Sequence, residues 1–299
     1  MKTFSATDAA ISGFVLVREH PKAVGAWVIL STIVSAILTV AVIGLFGSQL
    51  QAFAELNSGD DPMQALTAMA GLAPMFLLST VYNLAFYSVL LSAIYRVMLR
   101  PSDPRQAYLR FGADELRQAG VSFLIGLMLV GAYVAVIVLV VGLAAAAPLL
   151  GALAALVLIP AFLWAVLYFG IRLSLANVLT FTKGKIDIFG SMALTKGRFW
   201  PILGSYVVAV VLGIVVYLLL FLIVTLLGAA ISGFNMDTLS QLTQSQTMSL
   251  ETLMTPTGVL KVAIGGVVAV LTSVTIYAPA AFIFRAINID PEVESEYFA

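Results

Sequence analysis

Residues 120–171 read GVSFLIGLMLVGAYVAVIVLVVGLAAAAPLLGALAALVLIPAFLWAVLYFGI and contain no Asp, Glu, Lys or Arg. A helix rises about 1.5 Å per residue, so about 20 apolar residues cross roughly 30 Å of hydrocarbon. The stretch is long enough for two such helices, and the turn around Pro148 would divide it into residues 120–146 and 148–171. We therefore predict a tight helical hairpin in a membrane, with a single broken or re-entrant segment as the alternative.

The rest of the chain has the same character. Of its 299 residues, 61% are hydrophobic and 10% are charged, whereas a soluble domain carries about 45–50% apolar and roughly 25% charged residues. Further apolar segments at 24–46, 72–95, 201–230 and 257–284 complete a set of six predicted spans. The sequence therefore predicts an all-α polytopic protein with a single membrane domain over residues 1–299, and we expect the first span to be retained as an anchor.

The basic residues set the orientation of these spans. In a six-span topology, 14 of the 15 Lys and Arg residues fall on one side, and Lys261 at the edge of the last span is the exception. The opposite side carries acidic residues in its loops, among them Glu55, Asp60, Asp237 and Glu251. By the positive-inside rule, both termini are predicted to be cytoplasmic.

Three segments on the basic side are predicted to form short amphipathic helices at the cytoplasmic surface of the membrane. Ser5 with Asp8 and Asp103 with Pro104 are expected to cap the first two, and Asp187 lies near the start of the third. The expected apolar faces are, in chain order, Ile11, Phe14 and Val15; Leu109, Ala113 and Leu116; and Phe189, Met192, Ala193 and Phe199.

Each of these surface helices precedes an outgoing and a returning span. The chain then divides into units 4–96, 103–172 and 186–285, followed by an acidic cytoplasmic tail at 286–299. A threefold structural repeat is one interpretation of this order. The other is that any series of membrane hairpins alternates in this way.

Residues 191–200 read SMALTKGRFW. This element resembles the membrane domain associated with bacterial glycerophosphodiester phosphodiesterases and its stand-alone relatives, in which Ser-x-x-Leu-Thr-Lys/Arg-Gly-x-Phe-Trp precedes a span. The matching positions are Ser191, Leu194, Thr195, Lys196, Gly197, Phe199 and Trp200. The resemblance implies a bacterial inner-membrane protein with a lipid-related role. It does not extend to the phosphodiesterase catalytic domain, so that activity is not implied.

The same element has a physical explanation that needs no family. Gly197 is expected to close a surface helix in the left-handed conformation. Phe199 and Trp200 are expected to mark the membrane interface where the next span begins, with Pro201 in its first turn. A helix-to-span corner of this kind is the main alternative to a binding site.

Several kinds of chemistry lack the residues they need. The chain has no cysteine and one histidine, which excludes disulfides and thiolate chemistry and leaves little for a metal. No span has a charge near its middle, which disfavours ion-coupled transport. We therefore expect no enzymatic activity, no cofactor, no metal and no nucleic-acid partner. His20 is interpreted as a structural residue at the interface.

Basic residues near the ends of the spans are candidates for contact with lipid headgroups. Each would gain about 1 kcal/mol near an anionic leaflet. With one interfacial tryptophan, the candidates are Arg96, Arg172, Lys183, Lys185, Lys196, Arg198, Trp200 and Arg285. The alternative is that these charges only determine topology.

The second span carries most of the intramembrane polar side chains, among them Tyr82, Asn83 and Tyr87. Rows of this kind usually form hydrogen bonds between helices. They would otherwise line a cavity for a lipid headgroup, with Asn83 as its deepest donor.

Two functions follow from these expectations. The first is a protein that interacts with membrane phospholipids or moves them in envelope homeostasis. The second is a membrane scaffold or accessory subunit, for which the partner is another protein or a further copy of this chain.

Overall fold

The computed structural model describes residues 4–54, 56, 62–102, 105–231 and 250–288. In chain order its helices are α1 (Ala6–Glu19), α2 (Pro21–Ala54), α3 (Pro62–Gly71), α4 (Ala73–Leu99), α5 (Ala113–Ala146), α6 (Pro148–Leu173), α7 (Ala176–Lys183), α8 (Ile188–Leu194), α9 (Phe199–Ile231), α10 (Leu250–Leu253) and α11 (Pro256–Asn288). Within the described ranges there is no strand, and α2, α4, α5, α6, α9 and α11 are long and apolar enough to cross a membrane. The predicted all-α polytopic fold with six spans is confirmed.

The third and fourth spans are separate helices. Only Ala147, in an extended conformation, lies between α5 and α6. The rings of Tyr133 and Phe162, about equally far from that turn, are 5.9 Å apart, so the two helices run antiparallel in contact. Near the turn, Gly151 packs directly on Ala144 and has no room for a Cβ atom. The hairpin interpretation is therefore correct, and the single re-entrant segment is not.

The packed core lies toward one end of the bundle. We call it the basic end, because the last turns of α4, α6 and α11 there carry Arg96, Arg172 and Arg285. Of the most apolar stretch of α4, 44% of the residues are buried, against 22% in α11 and at most 6% in the other four spans. Helices α4 and α11 therefore form the centre of the bundle, and the other spans present apolar side chains outward, as a hydrocarbon surrounding requires.

Helix α1 forms at the predicted position, and its buried face consists mainly of small residues. The Ser5 side chain accepts a hydrogen bond from the Asp8 backbone N–H at 3.2 Å and caps the helix. The predicted apolar residues Ile11 and Val15 are exposed, whereas small residues face the bundle. A Cβ atom on Gly13 would lie 2.9 Å from the Val274 carbonyl oxygen of α11. Small side chains allow this close approach of two backbones, which explains why they form the contact.

The second predicted surface helix is not a separate element. Its expected cap, Asp103 and Pro104, lies outside the described residues, and residues 105–108 form a tight left-handed turn. Helix α5 then begins at Ala113 and continues without a break to Ala146. Leu116, predicted on the apolar face of this surface helix, is exposed. The polar segment therefore forms the first turns of the span itself.

The third surface helix, α8, forms where predicted. Asp187 caps it by accepting a hydrogen bond from Gly190 N–H at 2.9 Å, and Gly197 has the predicted left-handed φ of 75°. The sequence reasoning missed α7, a buried helix that ends at Gly184 with a φ of 64°. Between α4 and α5, the described residues contain no α-helix that corresponds to α1 and α8. The threefold repeat stays a prediction.

Candidate functional site at the basic end

A buried ion pair joins α4 to the base of the α5–α6 hairpin. The Arg96 guanidinium donates to a carboxylate oxygen of Glu115, and the exposed fractions of the two residues are only 6% and 3%. Arg96 also donates to the Tyr108 carbonyl at 3.0 Å and lies 3.7 Å from Asp114. The prediction that Arg96 contacts lipid headgroups is wrong, because its charge is already paired inside the protein.

The turn before α5 is held in a conformation that non-glycine residues avoid. Gln106, Ala107 and Tyr108 have φ values of 53°, 53° and 64°, at a cost of roughly 1–2 kcal/mol per residue. The indole N–H of Trp27 donates to the Ala107 carbonyl at 2.8 Å. The ring of His20 meets that of Tyr108 edge-on, with centroids 6.2 Å apart, in agreement with a structural role for this histidine.

An open, arginine-lined cavity of about 340 Å³ lies beside this turn. Arg117 pairs with Asp114 at 2.8 Å, and Arg100 lies 3.9 Å from the same carboxylate. The Arg100 guanidinium also stacks 4.7 Å above the ring centre of Phe181 in α7. With Arg96 and Arg110, four arginines surround two carboxylates at the start of α5. The lining of this cavity therefore combines basic and acidic side chains at the start of α5.

Two large apolar side chains project beside these arginines. Phe111 is 87% exposed and Leu116 is 75% exposed. We call Arg100, Arg110, Phe111, Leu116 and Arg117 the first patch. Exposed apolar side chains next to basic ones are typical of surfaces that enter the headgroup layer of a membrane.

The corner between α8 and α9 forms a second patch of the same composition. Phe189 is 68% exposed and Trp200 is 71% exposed. Lys196, four positions before Trp200 in the chain, is exposed, and Arg198 donates to the Leu194 carbonyl at 3.0 Å. We call Phe189, Lys196, Arg198 and Trp200 the second patch. The structure therefore brings together three of the predicted site residues.

Aromatic rings extend the second patch onto α6. The Phe199 ring stacks on Tyr168 with centroids 5.5 Å apart and lies 6.5 Å from Trp164. Trp164, at 56% exposed, and Tyr168, at 37%, are open to the surroundings. A cluster of amphipathic rings at one level of a bundle is the usual form of an interfacial aromatic belt.

The resembling motif has a structural role in this corner. The Ser191 hydroxyl donates to the Arg172 carbonyl at 2.8 Å and accepts from the Leu175 N–H at 3.2 Å. The Thr195 hydroxyl lies 3.1 Å from the same Arg172 oxygen. Both hydroxyls therefore fasten α8 to the end of α6. Arg172 is half-buried and accepts both hydrogen bonds through its backbone carbonyl, and its predicted headgroup contact stays a prediction.

Lys183 and Asp187 form an exposed ion pair at 2.7 Å beside this corner. The hydrogen bond from Lys183, that from Gly190 N–H and the nearby charge of Lys185 hold the pKa of the Asp187 carboxyl below its ordinary value of 3.8. Lys183 is therefore partly neutralised, whereas Lys185 is exposed. Arg285 is half-buried in the last turn of α11 and belongs to neither patch.

The polar residues of the second span are divided between two arrangements. Tyr82 and Ser35 of α2 have their hydroxyls 3.3 Å apart, which is a hydrogen bond between helices. Asn83 instead donates to the Ser79 carbonyl of its own helix at 2.6 Å and is exposed. Tyr87 is half-buried against Phe86, with ring centroids 5.6 Å apart. Tyr82 therefore fits the packing interpretation, and Asn83 is not the deepest donor of a cavity.

No protein family, curated protein or solved structure significantly matches this chain. The resemblance of residues 191–200 to the phosphodiesterase-associated membrane domain stays a prediction.

Proposed function

We propose that this chain is a non-catalytic protein of the bacterial inner membrane that binds phospholipid at its basic end and acts on membrane lipids in envelope homeostasis. In this proposal the basic end faces the cytoplasm. One observation carries it. Phe111, Leu116, Phe189 and Trp200 are each more than two-thirds exposed, and each lies within four positions of a basic residue in the chain.

Simple energetics favour a membrane as the surrounding of these side chains. Moving one large apolar side chain out of water gains about 1.5–3 kcal/mol. Each nearby Lys or Arg adds about 1 kcal/mol at an anionic surface. The two patches combine both terms at the same end of the bundle, where the positive-inside rule also places the anionic leaflet.

Native mass spectrometry of the protein released from its membrane tests the proposal. We expect retained anionic phospholipid, and we expect the double variant Lys196→Gln/Arg198→Gln to lose at least half of it. Arg18→Gln/Lys22→Gln is the matched control, because it removes two exposed charges at the same end without touching either patch. Equal loss of phospholipid from both variants would show that the lipid is held by general charge attraction and not by the second patch.

Movement of lipid is a separate part of the proposal. Vesicles containing the protein should exchange fluorescent phospholipid between leaflets faster than empty vesicles. Equal rates would contradict movement and leave binding intact.

The α5–α6 hairpin favours the second candidate, a scaffold or accessory subunit. Only Glu115, Gln118 and Val121 of α5 and Gly151 and Ile171 of α6 are buried, so most of the apolar surface of the hairpin is available to another spanning protein. Crosslinking in the native membrane should then capture a stoichiometric partner on α5 or α6. A chain that crosslinks only to lipid would exclude this role.

A further inference from the structure

A buried carboxylate oxygen beside the arginine-lined cavity has no hydrogen-bond donor among the described residues. Glu115 is 3% exposed, and its Oε1 accepts from Arg96. The other oxygen of the same carboxylate, Oε2, is the one without a partner in the described part of the chain. Leaving a buried charged group short of a hydrogen bond costs more free energy than leaving a neutral one. The Glu115 carboxylate therefore favours a ligand that brings a hydrogen-bond donor.

The open position next to Oε2 is at Gly112. A Cβ atom there would lie 3.6 Å from Oε2, and apart from the adjoining Phe111 and Ala113 no other atom of the described residues is within 4 Å of it. Gly112 and Glu115 both line the cavity, whose volume of about 340 Å³ is at the small end of the range of about 300–1,000 Å³ for ligand sites. A donor atom at this position needs to come only slightly closer to Oε2 to form a hydrogen bond of roughly 2.7–3.2 Å.

A second carboxylate of the same cavity makes a positively charged donor the better fit. Asp114 lines the cavity, and its side chain is 26% exposed. Its Oδ1 accepts from Arg117 at 2.8 Å, whereas its Oδ2 lies 3.7 Å from Arg96 and 3.9 Å from Arg100. Neither contact of Oδ2 is short enough for a hydrogen bond. An ammonium group has three N–H donors and can therefore bind Asp114 and Glu115 together.

The cavity also provides donors for an anion. The side chain of Arg100 is 52% exposed. Its guanidinium lies over the ring of Phe181, a contact that uses the flat face and leaves the N–H groups in its plane able to donate. No side chain of the described residues caps α5, so the first-turn N–H groups that begin at Ala113 are further donors. A phosphate group is suited to this combination of an arginine and a helix N-terminus.

Phe111 connects the cavity with the proposed membrane surface. It lines the cavity and is 87% exposed, as expected for an aromatic side chain in the headgroup layer. A ligand at this level that carries an ammonium group and a phosphate close together is the headgroup of phosphatidylethanolamine. Phosphatidylcholine has the same two charges, but its methylated ammonium has no N–H to donate.

We propose that the arginine-lined cavity binds the headgroup of phosphatidylethanolamine, with the ammonium group at Asp114 and Glu115 and the phosphate at Arg100 and the start of α5. This inference rests on the proposed lipid-binding function and names the headgroup chemistry of the first patch. The second patch, which has no carboxylate among its defining residues, stays the contact for anionic lipid.

Lipid competition in nanodiscs tests the cavity. The nanodiscs contain equal amounts of phosphatidylethanolamine and phosphatidylcholine with identical acyl chains and a constant fraction of phosphatidylglycerol, and native mass spectrometry of the released protein identifies the retained lipid. We expect a preference of about tenfold for the ethanolamine lipid, the ratio that one hydrogen bond to a charged group supplies. A dimethylated ethanolamine lipid, which keeps one N–H, should be retained to an intermediate extent.

Two variants test the role of Oε2. Glu115→Gln keeps an acceptor for Arg96 but puts an N–H₂ group in place of Oε2, and it should abolish the preference. Asp187→Asn is the matched control, because it also removes a carboxylate from an ion pair and does not line the cavity. If Glu115→Gln does not fold, Gly112→Val fills the position next to Oε2 and should give the same loss. Gly112 has an extended φ of −168°, which valine adopts without strain.

Three results would overturn the inference. They are equal retention of the two lipids by the wild-type protein, an unchanged preference in the folded variants, which would mean that water satisfies Oε2, and displacement of the lipid by soluble phosphoethanolamine, which would make a soluble molecule the ligand. The ethanolamine-to-choline ratio reports on the cavity. Retention of phosphatidylglycerol by Lys196→Gln/Arg198→Gln reports on the second patch, so failure of the cavity and failure of the proposed function are measured separately.

Discussion

The α4–α11 centre and the α5–α6 hairpin are built from similarly apolar helices, yet they are held in opposite ways. Buried residues of α4 run continuously from Ser88 to Val97, whereas the hairpin is buried mainly at its base. The centre is stabilised by close packing over this last part of α4. The hairpin is attached through polar groups, chiefly the Arg96–Glu115 pair and the hydrogen bond from Gln118 to the Asn177 carbonyl at 2.8 Å. In a membrane, where apolar contact between helices competes with equally apolar lipid, such polar contacts determine which helices stay together.

Breaking the Arg96–Glu115 pair, which attaches the hairpin to the centre, should cause the largest loss of stability. Arg96→Leu leaves the Glu115 charge buried without its partner, and we expect a loss of about 3–5 kcal/mol of stability. Thermal unfolding in detergent measures the loss, and limited proteolysis between α4 and α5 should become faster. The double variant Arg96→Leu/Glu115→Leu should recover most of the stability. Equal loss in the single and double variants would contradict the role given to the pair.

The next largest loss of stability is expected from a substitution where α2 crosses α11. Gly266 packs against the backbone of Thr32, whereas a Cβ atom on the neighbouring Gly265 would meet nothing within 4 Å. Gly266→Ala is expected to cost about 1–3 kcal/mol through overpacking. Gly265→Ala should be neutral or stabilising by up to about 1 kcal/mol, from helix propensity. Similar melting temperatures for the two variants would show that the crossing is loose.

One substitution in the left-handed turn at the base of the hairpin should increase the stability of the protein. Gln106 is exposed and has a φ of 53°. Gln106→Gly removes this strain without loss of packing, so we expect a gain of about 1 kcal/mol. Ala263→Gly, inside α11, is the control and should lose about 1 kcal/mol. Destabilisation by Gln106→Gly would mean that the turn is not strained as described.

The smallest effect should come from the cap of α8. Because the pKa of Asp187 is lowered in the folded protein, its contribution to stability is present above its ordinary pKa of 3.8 and is lost as the pH falls through the lower folded value. Asp187→Asn keeps a good cap and removes the titrating group. Its stability should differ from wild type by less than about 1 kcal/mol at neutral pH and should lose this acid dependence. Melting curves between pH 2 and 7, an interval of about 5 units around the carboxyl pKa, measure both effects.

Local features of the fold were predictable and long-range polar contacts were not. The Ser5 cap, the left-handed Gly197 and the start of α9 at Phe199 each depend on a few neighbouring residues. The Arg96–Glu115 pair depends on two elements meeting in space, and it turns the expected polar face of the α5 segment inward. Trp27 likewise reaches a carbonyl 80 positions along the chain. Amphipathic periodicity identifies the apolar face of a segment, but it does not identify a buried partner on another helix, such as Arg96 for Glu115.

The same limit applies to the candidate site. Lys196, Arg198 and Trp200 were predicted because basic and aromatic residues mark an interface by composition alone. Leu116 was predicted on the apolar face of a surface helix, whereas Phe111 was not singled out. The signal that would have identified Phe111 is its position between Arg110 and a glycine, where no helix face continues.

The depth of the two patches in a bilayer distinguishes contact with lipid from exposure to water. In variants with a single tryptophan, placed at Trp200 or introduced by Phe111→Trp, fluorescence quenching is measured in vesicles with lipid-borne quenchers just below the headgroups and with aqueous iodide. We expect strong quenching by the shallow lipid quencher and little by iodide at both positions. Quenching by iodide with none from the lipid would place the patches in water and contradict the proposed lipid contact.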